Sequence, residues 1–101
     1  VTSAKRSDAL KDVPTVAESG YAGFDVNPWF GILTPAGTPT GVVKKINADV
    51  NQMLTQKDVI DRFTNLGAVP FATTPAQFAK IAHDDIVKWA KVVKESGATV
   101  D

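Results

Sequence analysis

From Val42 to Val93 the apolar positions recur at three- and four-residue intervals, the period of a helix with one covered face. Before Pro35 they alternate or cluster in short runs instead. Val42, Val43, Ile46, Val50, Met53 and Leu54 predict an amphipathic helix opened by Thr38 as N-cap with Pro39 at the first helical position. Val59, Ile60, Phe63 and Leu66 form a second stripe that ends at Gly67. Thr74-Pro75-Ala76-Gln77 is a capping box with proline in the first turn, and it predicts a long helix to about Ser96, before Gly97. The apolar face of that helix carries Phe78, Ile81, Ala82, Ile86, Trp89, Val92 and Val93, with Lys80, Asp84, Lys88 and Lys91 opposite.

The first part of the chain reads differently. Residues Ser3 to Asp12 are polar and irregular, Val13-Pro14 holds the backbone extended, and Thr15-Val16-Ala17-Glu18 is a second capping box. Gly20 follows so soon that the helix it predicts is little more than one turn. Phe24 to Thr34 alternates as far as Asn27 and is nearly continuous apolar after Pro28, which predicts a strand broken at a residue that cannot donate to a ladder. Ala68-Val69-Pro70-Phe71-Ala72 predicts a short edge strand for the same reason. The order is strand, helix, helix, strand, long helix, an α/β half-domain with no internal repeat.

Composition narrows the functions. With 101 residues, 44% hydrophobic and 22% charged, one small core is the most the chain can build. Lys and Arg number 11 and so do Asp and Glu, which leaves no field of one sign to hold nucleic acid or an anionic membrane. Having no cysteine excludes disulfides, thiolate nucleophiles and cysteine-ligated metal centres. The chain opens on Val1-Thr2, without Met and like the tail of a strand, so it is expected to be a truncated or processed piece of a longer protein.

Candidate chemistry is sparse. His83 has Ala79, Lys80, Ile86 and Val87 as its helical neighbours, so no second metal ligand shares its face and a surface role is expected. Asp84 and Asp85 point about 100° apart on a helix and cannot act as a carboxylate pair. Asp84 is placed to meet Lys88, and Asp85 to lie at the edge of the apolar stripe as a structural carboxylate. Gly31, Gly37 and Gly41 do not make a phosphate-binding loop, and no nucleophile elbow occurs. Neither an enzyme nor a cofactor or metal is expected. The segment Asn27-Pro28-Trp29-Phe30-Gly31 joins large aromatics, an amide and a glycine at a strand interruption, a mixture that suits either a ligand pocket or plain core.

Val1 to Ser7, Asp12-Val13-Pro14-Thr15-Val16-Ala17-Glu18-Ser19-Gly20, Trp29-Phe30-Gly31 and Pro35-Ala36-Gly37-Thr38-Pro39 stand in the order and spacing of the C-terminal third of the Bug-type solute-binding proteins. Leu66-Gly67-Ala68, Thr74 to Phe78 and Lys88 to Lys94 extend the resemblance over essentially the whole chain. The resemblance implies a part of a two-lobed periplasmic-binding-protein fold: residues 1–23 ending a second-lobe strand and linking by a short helix, 24–36 crossing back, and 37–101 completing the first lobe. It also implies a periplasmic receptor that captures a small organic carboxylate and delivers it to a membrane permease, using backbone N–H groups and no metal. Asn27, Trp29, Phe30 and Gly31 are the expected ligand-binding residues. Gly41, and Thr55-Gln56-Lys57 in place of an Asp-Pro cap, depart from the family pattern at helix starts. The alternative is a stand-alone α/β interaction module, and in either case self-association is expected through uncovered apolar faces.

Overall fold

A computed structural model of the protein describes residues 1–99 and divides the chain into two compact units, Val1–Leu33 and Thr34–Asp101. The second unit holds three helices, α1 (Thr40–Met53), α2 (Lys57–Asn65) and α3 (Pro75–Ser96). All three stand where the apolar period places them.

Their ends show why. At α3 the Thr74 hydroxyl accepts from the Gln77 N–H at 3.2 Å and the Gln77 side-chain oxygen accepts from the Thr74 N–H at 2.8 Å, so both halves of the capping box form. Gly97, at φ +67°, closes the helix in the left-handed region. At the end of α2, Ala68 N–H reaches Phe63 C=O at 2.9 Å and Gly67 N–H reaches Thr64 C=O at 3.0 Å, with Gly67 at φ +73°. This pair of bonds is a Schellman motif, and it turns the chain out of the helix. The start of α1 differs from expectation by one residue: Pro39 is the N-cap, and Thr38 does not cap. The Thr38 hydroxyl donates instead to Pro35 C=O at 2.8 Å, closing the preceding turn, while Pro39 C=O accepts the first helical bonds from Val42 and Val43.

Packing within this unit joins α1 to α3. Val43, Ile46 and Val50 on α1, Leu54 at its C-cap, and Phe78, Ile81 and Ala82 on α3 are half-buried. Two amides complete the seam. Asn47 and Asn51 both donate through Nδ2 to the Thr73 carbonyl, at 2.8 and 3.0 Å, and so pin the residue just ahead of the α3 cap. Asp85 lies half-buried within the α3 stripe, as its position on the helix requires. Beyond it Ile86, Trp89, Val92 and Val93 are exposed. Lys45–Asp49, Lys57–Asp61, Lys80–Asp84 and Lys91–Glu95 pair at i,i+4 on open surfaces. In each the lysine precedes the acid, the weaker orientation, and so these pairs add little.

The first unit carries no regular helix or strand among the described residues. Residues Val1 to Ala4 run through its middle: Val1 C=O accepts from Val16 N–H at 2.9 Å on one side, and Thr2 C=O accepts from Val26 N–H at 2.8 Å on the other. The amino terminus donates to Pro14 C=O at 2.7 Å, and Ala4 N–H to the Asp25 carboxylate at 3.0 Å. The short helix expected at Thr15 is a hydrogen-bonded turn, with Ser19 N–H meeting Thr15 C=O at 3.2 Å before Gly20 reverses the chain at φ +109°.

The expected α/β order is corrected at its strands. Residues 24–35 and 68–74 run without a bend or turn, yet none of the described residues is in a strand. A strand exists only when a neighbour completes its ladder. Val26 has one backbone bond, and Pro70 has no N–H to offer.

The capping box of α3 should carry more stability than any of the surface ion pairs. Thr74→Ala is expected to cost about 1 kcal/mol in urea unfolding, and Lys45→Ala less than about 0.5 kcal/mol. Equal effects would reverse that ranking.

Candidate functional site

Asp25 and Val26 anchor the start of the segment singled out in the sequence, the first through its carboxylate to Ala4 N–H and the second through its N–H to Thr2 C=O. The four candidate residues follow directly. Trp29 is half-buried, whereas Asn27, Phe30 and Gly31 are exposed, Phe30 at 96%. Among the described residues nothing hydrogen-bonds the Asn27 amide or the Gly31 N–H. The segment therefore offers a free amide, a free backbone donor and an open phenyl ring beside a partly covered indole. These groups suit a ligand with both apolar and hydrogen-bonding atoms.

A second cluster in the same unit escaped the sequence. Thr15, at 2% exposure, is the one fully buried residue among those described. Its hydroxyl accepts from Glu18 N–H at 3.0 Å, and its N–H donates to Glu18 Oε2 at 2.8 Å, so the first capping box forms although no helix follows. Arg6 closes the cluster: its Nε lies 3.1 and 2.9 Å from the two Glu18 oxygens and its Nη1 donates to Lys11 C=O at 3.1 Å. The guanidinium is thus committed to protein groups, and the cluster fixes the loop between residues 6 and 18. The T-x-x-E spacing announced the box; nothing in the spacing announced Arg6.

Elsewhere the chemistry stays on the surface. His83 Nδ1 stands 3.6 Å from Asp84 Oδ1, both exposed, and the Lys80 ammonium holds the Asp84 carboxyl below its ordinary value. Asp84 pairs with Lys80 rather than with Lys88 as the spacing suggested, since Lys88 sits over the Trp89 ring at 5.3 Å. Among the described residues no cluster of His, Asp or Glu could hold a metal, and no helix is long and apolar enough to cross a membrane. A shallow open hollow of about 300 Å³ lies between Met53, Val59, Arg62, Phe63 and Leu66.

Comparison with known proteins assigns the chain as a whole. Residues 1–98 match the model of the tripartite tricarboxylate transporter family receptor, TctC. The chain belongs to this receptor family. It is 39% identical over 98 residues to Protein BugT of Bordetella pertussis, covering 97% of this chain and 30% of BugT. It is 35% identical over 96 residues to the UPF0065 protein in the tcbD-tcbE intergenic region of a Pseudomonas species, covering 94% and 29%. Among solved structures it is similar to R. palustris Rpa4515 with adipate, with a TM-score of 0.79 at 33% identity, covering 95% of this chain and 32% of that one. The Bug-type resemblance read from the sequence is borne out, and the chain spans about 30% of the length of the curated relatives it matches. The family is one of receptors, not of enzymes.

The Arg6–Glu18 pair gives the first unit an acid-labile tie. The hydrogen bond from Arg6, then that from Thr15 N–H, holds the Glu18 carboxyl below the ordinary value of 4.5. A lowered folded-state pKa gives stability that is present above 4.5 and lost as pH falls through the lowered value. In an NMR titration the Glu18 carboxyl should show a midpoint below 4.5 that returns toward it in Arg6→Gln. An unmoved midpoint would remove Arg6 as the cause.

Proposed function

We propose that this chain supplies part of a periplasmic solute receptor, one that captures a small organic carboxylate and hands it to a membrane permease without covalent chemistry. The observation that carries this reading is the likeness, over 95% of the chain, to an R. palustris structure obtained with adipate, a dicarboxylate. Residues 1–23 serve as the end of a second-lobe strand with its linker, 24–36 as the segment crossing between lobes, and 37–101 as the C-terminal portion of the first lobe. In that arrangement the extended runs at 24–34 and 68–72 become strands, because segments beyond this chain complete their ladders.

Asn27, Trp29, Phe30 and Gly31 form one wall of the carboxylate site. Trp29 is the first choice among them: its ring lines the apolar methylene portion of a dicarboxylate, and its indole N–H is one donor to a carboxylate oxygen or a bridging water. Asn27 adds a donor and an acceptor, and the bare Gly31 backbone permits close approach. A carboxylate that meets neutral donors needs neither a metal nor a cationic side chain, in keeping with an Arg6 already committed to Glu18.

The exposed Ile86, Trp89, Val92 and Val93 favour a second reading, an interaction module that associates through α3. Calorimetric titration separates the two. A full-length receptor containing this chain should bind adipate or a related diacid, and Trp29→Ala should weaken that binding at least about tenfold with the fold intact. The 101-residue chain alone, holding one wall of a two-sided pocket, should show no binding at millimolar diacid, roughly the weakest affinity the method reads. Unchanged affinity in Trp29→Ala returns that residue to the core, and no diacid binding by the full-length receptor sinks the receptor reading.

A further inference from the structure

Within the first unit the bonds around Ala4 and Val26 form a small frame. Phe24 N–H meets Tyr21 C=O at 3.0 Å, so a turn delivers the chain to Asp25. Asp25 and Val26 then reach the same run of residues by different means: the Asp25 Oδ1 accepts from Ala4 N–H at 3.0 Å, and Val26 N–H donates to Thr2 C=O at 2.8 Å. That run is itself held. Val1 C=O accepts from Val16 N–H at 2.9 Å, next to the buried Thr15, and the Ser3 hydroxyl donates to Lys5 C=O at 2.7 Å across the bend that presents Ala4. Residues 27–31 start directly after the second of the two attachments and continue without a bend or turn.

We propose that Asp25 is a positioning residue of the ligand site: its carboxylate aims Asn27, Trp29, Phe30 and Gly31 at the ligand without touching it. The assignment rests on the receptor reading above. One attachment gives a pivot, and two give a direction. The Val26 bond alone fixes where the segment begins; the Asp25 bond, landing at Ala4 rather than Thr2, fixes the angle at which it leaves. Asn27 lies two residues past Asp25, about 7 Å along an extended chain, so a swing of about 15° displaces it by about 2 Å. A hydrogen-bonding wall tolerates much less, roughly 0.5 Å. The carboxylate suits the task, since an ionised acceptor makes a bond about twice as strong as a neutral one. Its charge has the wrong sign for direct service, because a carboxylate beside a bound diacid repels it. This sets the anchor role apart from an electrostatic one. A charge acting on the diacid is lost equally in Asp25→Ala and Asp25→Asn, and both variants would then bind more tightly. An anchor separates the two, because the asparagine Oδ1 still accepts from Ala4 N–H.

Calorimetric titration of the full-length receptor containing this chain tests the role, with straight-chain diacids from succinate to adipate as probes and the tightest of them carried forward. Asp25→Ala should weaken binding by about tenfold, the loss of a charge-assisted bond, and Asp25→Asn by less than about threefold. Amide exchange on the same variants ties the loss to that bond. The Ala4 amide should exchange faster in Asp25→Ala and not in Asp25→Asn, whereas the Val26 amide keeps its protection in both, which shows that the unit stays folded. Wild-type affinity in Asp25→Ala overturns the role, and so does an equal loss in both variants. Tighter binding in both also overturns it, and makes Asp25 a charge felt by the ligand. If Trp29→Ala weakens binding while Asp25→Ala does not, the receptor reading stands and this role alone falls. A wild-type receptor that binds none of the probes fails the receptor reading, and this role with it.

Discussion

No apolar side chain among the described residues is fully buried, and this shortage of core governs the rest of the structure. With little area withdrawn from water, position is set by hydrogen bonds from side chains to backbone at the ends of segments. Asn47 and Asn51 converge on one carbonyl ahead of α3, Gln77 and Thr74 exchange bonds one residue later, and Glu18, Thr15 and Arg6 do the corresponding work in the first unit. Such bonds fix direction better than they add free energy, because each replaces a bond to water. Of the three helices α3 is held this way at its start, while the apolar faces of all three are only partly covered.

What the amino-acid order could reveal follows from how local each interaction is. Three helices were legible because a period of three and four, a capping box and a closing glycine are all properties of neighbouring residues. The departure at Thr38 came from a choice the sequence leaves open, whether a hydroxyl caps the helix ahead or closes the turn behind. The strands at 24–34 and 68–72 failed for a different reason: a ladder is a relation between distant segments, and alternation can state readiness for it without supplying the neighbour. Asn47 and Asn51 were visible as amides four residues apart along an apolar stripe, an unusual place for two polar groups, but their common acceptor was not visible. Arg6 and Glu18, twelve residues apart, carried no periodic signal at all.

The candidate ligand segment shows the same division. Its composition was readable, and its anchoring by Ala4 and Thr2 was not, since both bonds span more than twenty residues. The receptor wall proposed for it needs donors that are held but unspent. Asn27 and Gly31 meet that requirement because the bonds that fix the segment fall on Asp25 and Val26, ahead of them. Membership in a receptor family is what suggests the ligand role proposed for those unspent groups, which composition alone could not.

The Thr73 carbonyl, occupied by two amide donors, has a consequence for solubility. Uncharged, apolar and extended stretches are the usual templates for open-ended fibrils, which lengthen because each added strand presents a fresh edge as long as the last. In the run from Ala68 to Thr73 one edge ends at an oxygen with no lone pair to spare, and the opposite edge is interrupted by a proline. A strand added on one side therefore presents nothing for a third to use. Two asparagines placed to hold a helix in position thus also act as a terminator, letting the chain keep a sticky segment without the growth that such a segment would otherwise seed.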